Sequence, residues 1–271
     1  MLTVIKIGGS VLRDAASFAR VAHTLAARLT ASPDERLVVI VSAPYGLTDA
    51  LLEDARRVIA IPDPAALDLL WSTGEVRSVA LLALHLQTSG VAAVPFNVHQ
   101  TGLVSAGSGG PGSAAVRPLR LLAALGQTRV VIVPGFLAVG GGGAIASLGR
   151  GGSDLTAVLL AVALSAGRCE LVKDVAGYFT DDPHRNADAR PIRELGIEGA
   201  LAMADSGCDL VQRHALEAAL RARLVLVVRS LDPAAGATIV QPTNRSEIAE
   251  AEGDNETEED NEIATRRKTG R

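Results

Sequence analysis

Two stretches of this 271-residue chain hold residues whose types and spacing could do chemistry. The first is Leu148-Gly149-Arg150-Gly151-Gly152-Ser153-Asp154, which opens a long apolar run with helical spacing. The second is Lys173-Asp174-Val175-Ala176-Gly177-Tyr178-Phe179-Thr180-Asp181-Asp182-Pro183. Glycines followed by Ser-Asp at a helix start turn several backbone N–H groups toward one point. The helix dipole adds partial positive charge there, so such a turn suits an anionic ligand. Gly8-Gly9-Ser10 and residues 140–143 are further glycine turns, each beside a strand-like run. Lysine is scarce: three lysines stand against twenty-three arginines, and Lys6 and Lys173 both fall inside the candidate motifs. A lysine serves phosphate as a compact point charge, whereas arginine presents a planar fork.

The elements that must position these residues follow from the apolar pattern. Strands are expected at 2–7, 37–41, 92–96, 130–133, 169–172 and 224–228. Helices are expected at 15–29, after the loop 42–48, over 65–87 with a break around Ser72-Thr73-Gly74-Glu75, and at 154–165, 197–206 and 211–222. Residues 100–113, rich in Gly and Ser, read as a flexible hairpin or loop. Strands alternating with helices argue for an α/β fold: a three-layer α/β/α sandwich around a mainly parallel sheet. Ligands in such sheets bind beyond the carboxyl ends of the strands, where the glycine turns fall. The length allows one large or two small domains before the tail.

Net charge is −4, and residues 244–271 hold nine acidic and five basic side chains, so the remainder is formally neutral. That balance gives no footprint for nucleic acid. The tail reads as a disordered polar extension. Cys169 and Cys208 are isolated, which fits a reduced, cytoplasmic setting. His23, His85, His99, His184 and His214 are dispersed, and no metal-ligand spacing is present. No apolar run is long enough to span a membrane, and no signal peptide is evident.

Five motifs stand in the order of a known family: Lys6-Ile7-Gly8-Gly9-Ser10, Val41-Ser42-Ala43 with Gly46-Leu47-Thr48, Ser72-Thr73-Gly74-Glu75, the stretch 148–154, and Asp174 through Asp182-Pro183. They resemble the amino acid kinase family, and within it the aspartate kinase branch, over about residues 2–240. The resemblance implies transfer of a phosphoryl group from ATP, with Mg²⁺, to the carboxylate of aspartate or a similar amino acid, giving an acyl phosphate. It implies a homodimer as well, and an acceptor-binding lobe over about 1–134 beside a nucleotide-binding lobe over about 135–243. A carboxylate is already ionised at neutral pH, so catalysis rests on aligning two anions and neutralising charge on the transferring group.

By the same resemblance, Lys6 and Asp154 are the catalytic pair, with Asp154 orienting Lys6. Arg150 would grip an acceptor carboxylate, Glu75 its ammonium, and Ser42, Thr48 and Ser153 the rest of it. The nucleotide would take Lys6, Gly8, Gly9, Ser10, Gly151, Gly152, Lys173, Asp174, Phe179 and Asp182. Taken singly, Asp154 or Ser153 also reads as a helix N-cap, Glu75 as a surface residue and Arg150 as an ion-pair partner. Three features depart from the family pattern. Phe179 replaces a tyrosine and His184 an arginine. Asp209 stands where a phosphate-binding lysine is usual, with Lys173 available to compensate. Aspartate kinases usually continue into regulatory domains, whereas here the sequence turns polar, so feedback inhibition of that kind is not expected. Two alternatives stay open: a same-fold kinase with another small acid acceptor, and a non-catalytic ligand-binding paralogue.

Overall fold

Near-continuous apolar runs become strands buried on both faces. β1 (Leu2–Ile7) and β2 (Arg36–Val41) flank α1 (Ala15–Ala31) in the chain. Then come α2 (Leu47–Val58), α3 (Pro64–Thr88), β3 (Ala93–Pro95), β4 (Leu103–Ser105), β5 (Ala114–Val116), α4 (Leu119–Leu125) and β6 (Val130–Pro134). β7 (Leu137–Val139) and β8 (Ile145–Ser147) lead to α5 (Gly152–Ala163) and β9 (Arg168–Lys173). β10 (Glu194–Gly196), α6 (Ile197–Asp205), α7 (Arg213–Ala222), β11 (Leu226–Ser230) and β12 (Ala237–Gln241) complete the order. This computed structural model describes residues 1–105, 114–183 and 185–242. The expected tail, His184 and most of the glycine-rich stretch at 100–113 lie outside them.

Eight strands form one sheet in the order β10-β12-β11-β9-β1-β2-β6-β3, and four form a second, β5-β4-β7-β8. Among the described residues the β11–β12 pairing is the one antiparallel step of the large sheet, so β12 and β10 run opposite to the other six strands. Alternation along the strands divides two cores. Val4, Val38 and Ile40 pack with Leu155, Val158 and Leu216 on one face. Ile5, Leu37 and Val39 pack with Phe18, Val21, Leu25, Val79 and Leu82 on the other. Burying each such large apolar side chain contributes roughly 1.5–3 kcal/mol. Helices therefore cover both faces, as the α/β/α expectation has it. Among the described residues no helix is long and apolar enough to cross a membrane.

β1 pairs with β2 on one side and β9 on the other, and the chain moves outward from it in both directions. The order reverses at β1/β9, which makes their carboxyl ends the natural place for a ligand. The small sheet takes β4 and β5 from before residue 134 and β7 and β8 from after it.

Several sequence expectations need correction. α3 runs unbroken through Ser72-Thr73-Gly74-Glu75. The hydroxyls that suggested a turn fold back onto helix carbonyls, Ser72 Oγ to Leu69 O (2.6 Å) and Thr73 Oγ1 to Leu70 O (2.7 Å). The short strands β4, β5, β7, β8 and β10 escaped the pattern because three residues carry too little periodicity. β11 does not close the set, since β12 returns beside it.

Toward the amino ends of the strands, a buried ion cluster ties α1 to the sheet. Arg28 donates to Glu35 (2.7 Å) and Glu170 (2.9 Å). Glu170 also accepts from Arg168 (2.9 Å) and Arg229 (2.8 Å), and Glu35 from the Thr3 hydroxyl (2.6 Å). Burial alone would raise both carboxyl pKa values, but the bonds from Arg28 outweigh it and hold both below the ordinary range. Their stabilising contribution is therefore present above the unfolded pKa, about 4.3, and is lost as pH falls through the lower folded values. Arg28→Ala should cost about 3–5 kcal/mol in urea unfolding at neutral pH. The gap to the native protein should narrow in acid, and a gap independent of pH would show that only packing was lost.

Candidate active site

The alternation that fills the cores also builds the site. Lys6 shares the β1 face of Val4, and Lys173 the β9 face of Cys169 and Leu171, so both point to the α5 side. α5 starts above them. Its N-cap is Gly151, with no side-chain cap, and Asp154 turns down from the first turn toward the strands. The capping alternative for Ser153 and Asp154 is thus not realised. Lys6 Nζ lies 2.8 Å from Asp154 Oδ1, and Lys173 Nζ 2.8 Å from Oδ2. Asp154 is 2% exposed, Lys6 7% and Lys173 9%.

Two ammonium groups thus share one carboxylate, leaving a buried excess of one positive charge. Burial alone would raise the Asp154 pKa. The charges of Lys173 and Lys6 outweigh it and hold the group well below the carboxylate range. Burial pushes Lys173 down to about 8, against the pull of Asp154 and with repulsion from Lys6.

The glycine turns close over this trio. Gly8 N–H donates to Val172 O (3.0 Å), locking the turn after β1 onto β9. A Cβ on Gly9 would sit 2.7 Å from Ala43 O, so only glycine lets the turns after β1 and β2 approach this closely. Gly151, at φ +74°, has Gln212 packed where a Cβ would be, 1.8 Å from Gln212 Cγ. That contact brings the 207–212 loop, with exposed Asp209, to the glycine turn.

Beside the trio is a cavity of about 620 Å³. Ser42, Thr48, Glu75, Arg150 and Ser153, the five residues expected to hold the acceptor, all line it, together with Gly9, Gly151 and Gly152. One face of α3 staples its walls through residues spaced three and four apart. Asp68 accepts from Ser147 N–H (3.0 Å), and the Trp71 indole N–H donates to Thr48 O (3.1 Å). One turn on, Glu75 accepts from Ala43 N–H while its Oε2 has no hydrogen-bond partner. Burial pushes Glu75 up to about 8, against Ala43 N–H and the charge of Lys6. A buried carboxyl with a spare oxygen facing a cavity suits a ligand cation. Arg150 is exposed and, among the described residues, in no salt bridge.

The remaining expected residues lie elsewhere. Ser10 Oγ donates to Asp174 Oδ1 (3.1 Å), with the Arg13 guanidinium 3.9 Å from the same carboxylate. Phe179 is half-buried and bridges Pro191, and Asp182 is exposed on the loop that follows. Neither lines the cavity. Sequence reasoning missed Gln212, Tyr45, Trp71 and Phe136 at the site. Trp71 alone had a signal, as the chain's single tryptophan beside the Ser-Thr-Gly-Glu motif.

The family model described as "Amino acid kinase family" matches residues 1–230. The chain belongs to the amino acid kinase family. It is 40% identical over 230 residues to the aspartokinase of Thermus thermophilus, covering 84% of this chain and 56% of that one. The crystal structure of aspartate kinase from Synechocystis superposes with a TM-score of 0.79 at 33% identity, covering 90% of this chain and 40% of that one. E. coli aspartokinase III, in complex with aspartate and ADP, gives 0.75 at 26% identity, covering 90% and 65%. This amino acid kinase chain spans little more than half the length of the curated relative it matches.

Removing the shared carboxylate should expose its role in the fold. Asp154→Ala leaves two buried ammonium groups without a counter-charge and should cost about 3–5 kcal/mol in urea unfolding at pH 7. Without Asp154, Lys173 binds its proton less well folded than unfolded, so the variant's stability should rise with pH. A deficit that stays constant to pH 10 would assign the loss to packing instead.

Proposed function

We propose that this chain transfers the γ-phosphoryl group of ATP to a side-chain carboxylate of aspartate or a similar amino acid, giving an acyl phosphate and ADP. The observation that carries the reading is the Lys6–Asp154–Lys173 trio with its uncompensated positive charge beneath the glycine turns, next to a cavity that pairs Arg150 with Glu75. Family membership and the aspartokinase relatives support it.

Arg150 suits bidentate contact with a carboxylate and Glu75 suits an ammonium, and a zwitterion needs both. Ser42, Thr48 and Ser153 would complete acceptor binding from the cavity wall. The reaction forms a bond from the acceptor carboxylate oxygen to the γ-phosphorus and breaks the bond from that phosphorus to the β-phosphate oxygen. No proton need move. The protein's task is to hold two anions together and stabilise the charge that develops between them. Lys6 meets that charge as a point cation, and Asp154 holds Lys6 in place. Lys173 supplies a second ammonium on the nucleotide side, in a chain where position 209 is an aspartate. The N–H groups of Gly8, Gly9, Gly151 and Gly152 would cradle phosphate oxygens, with Ser10, Asp174, Phe179 and Asp182 along the nucleotide strip. Among the described residues no three His, Cys, Asp or Glu side chains converge as a metal cage. A Mg²⁺ would therefore enter on the phosphates, as that ion commonly does, and would neutralise charge on their oxygens.

Trapping of the acyl phosphate with hydroxylamine tests the reading. Hydroxamate should form with ATP, Mg²⁺ and an acidic amino acid, and its absence with every acid, together with no ATP binding, would make the chain a non-catalytic member. Lys6→Ala should lower kcat by at least about 10²–10³-fold, and an unchanged kcat would remove Lys6 from the mechanism.

Lys173 and Glu75 give separate pH signatures. Because Lys173 loses its proton near 8, kcat/KM for ATP should fall as pH rises through that value. Lys173→Arg, which stays charged, should move the falling limb upward. Lys173→Thr should cost about 10-fold or more in kcat/KM, and Asp209→Lys should recover part of it if the two positions serve one phosphate. Glu75 must ionise to meet an ammonium, so acceptor binding at pH 7 should release about one proton. Calorimetry in buffers of different ionisation enthalpy reads that release, which Glu75→Gln should abolish.

A further inference from the structure

The chain has seven aromatic side chains: one Trp, two Tyr and four Phe. Phe18, Phe96 and Tyr178 are buried in the cores. Phe179 lies on the nucleotide strip, and the other three, Tyr45, Trp71 and Phe136, all line the acceptor cavity. The cores are otherwise built from Val, Leu, Ile and Ala, so aromatic mass is concentrated where a ligand would sit.

These rings are held in place. The Trp71 indole is fixed by its bond to Thr48 O, and its ring meets Phe136 edge-on, with centroids 5.7 Å apart and planes at 70°. Phe136 has φ +68°, a left-handed conformation that a bulky side chain adopts only under constraint. Such strain costs of order 1–3 kcal/mol and persists where the surrounding structure fixes a side chain for use. Tyr45 is 66% exposed at the cavity mouth, with the Arg13 guanidinium 5.0 Å above its ring. Leu52 adds an aliphatic surface.

Arg150 and Glu75 already account for a carboxylate and an ammonium. Aspartate has almost no apolar surface to offer the rest of the wall, and a cavity of about 620 Å³, even shared with the phosphoryl group at Gly9, Gly151 and Gly152, leaves room for a larger acceptor. We propose that the preferred acceptor is an amino-dicarboxylic acid carrying an apolar substituent, aliphatic or aryl, which packs against Trp71 and Phe136. This rests on the reading of the cavity as the acceptor site.

Trp71 is the only tryptophan in the chain, so binding can be read from its fluorescence without turnover. The full-length protein would be titrated with L-aspartate, threo-3-methylaspartate and threo-3-benzyloxyaspartate. Affinity should rise along the series, with the benzyloxy compound at least about 10-fold tighter than aspartate, which is about 1.4 kcal/mol. In calorimetry, Trp71→Leu should bring that ratio to within about 2-fold. Tyr45→Ala, at an exposed position that leaves the core untouched, should lower it part of the way. Binding of aspartate with no gain from either substituent would overturn the inference and leave the acceptor reading standing. No fluorescence or calorimetric response to any of the three would overturn both.

Discussion

Two ammonium groups on one buried carboxylate set the terms for the rest of this site. Both lysines are almost fully buried, and Asp154 compensates only one of the two charges. The excess is retained because the surrounding geometry fixes it. β1 and β9 are adjacent parallel strands, α5 begins directly above them, and its dipole favours the anion in its first turn. A buried charge that the protein leaves uncompensated is a standing demand for an anionic ligand. Burial pushes the Lys173 pKa down against the pull of Asp154.

The cavity next to the trio depends on short contacts between loops that are far apart in the chain. Glycine permits two of them, Gly9 against Ala43 and Gly151 against Gln212. α3 supplies the others, with Asp68, Trp71 and Glu75 one turn apart and bonded to the end of β8, the first turn of α2 and the turn after β2. A break in this helix would release all three at once. The same face thus sets cavity shape and presents to it a buried carboxyl whose Oε2 has no hydrogen-bond partner.

The opposite ends of the strands follow a different logic. There Arg28 brings Glu35 and Glu170 together with three further donors, and each buried carboxylate is held by donors of the protein itself. At one end of the sheet every buried carboxylate oxygen has a donor, while at the other Glu75 Oε2 beside the cavity has none. That contrast separates structural from functional burial of charge in this chain more clearly than burial alone does.

The sequence by itself determined the strands β1, β2, β6 and β9, since runs buried on both faces need no partner to be recognised. It also determined the order of the five motifs, because glycine turns and the scarce lysines are local signals, and Ser42, Thr48, Glu75, Arg150 and Ser153 of the cavity wall fall within those motifs. Only the tertiary structure decided that Lys173 reaches the same carboxylate as Lys6, that Gln212 covers Gly151, and that Tyr45, Trp71 and Phe136 meet around one cavity. It also decided that α3 is continuous and that Glu170 is clamped by arginines from three elements. The physical reason is common to all of these. Each depends on strand register or helix packing between segments remote in sequence, and periodicity records which face a residue takes without recording what stands opposite.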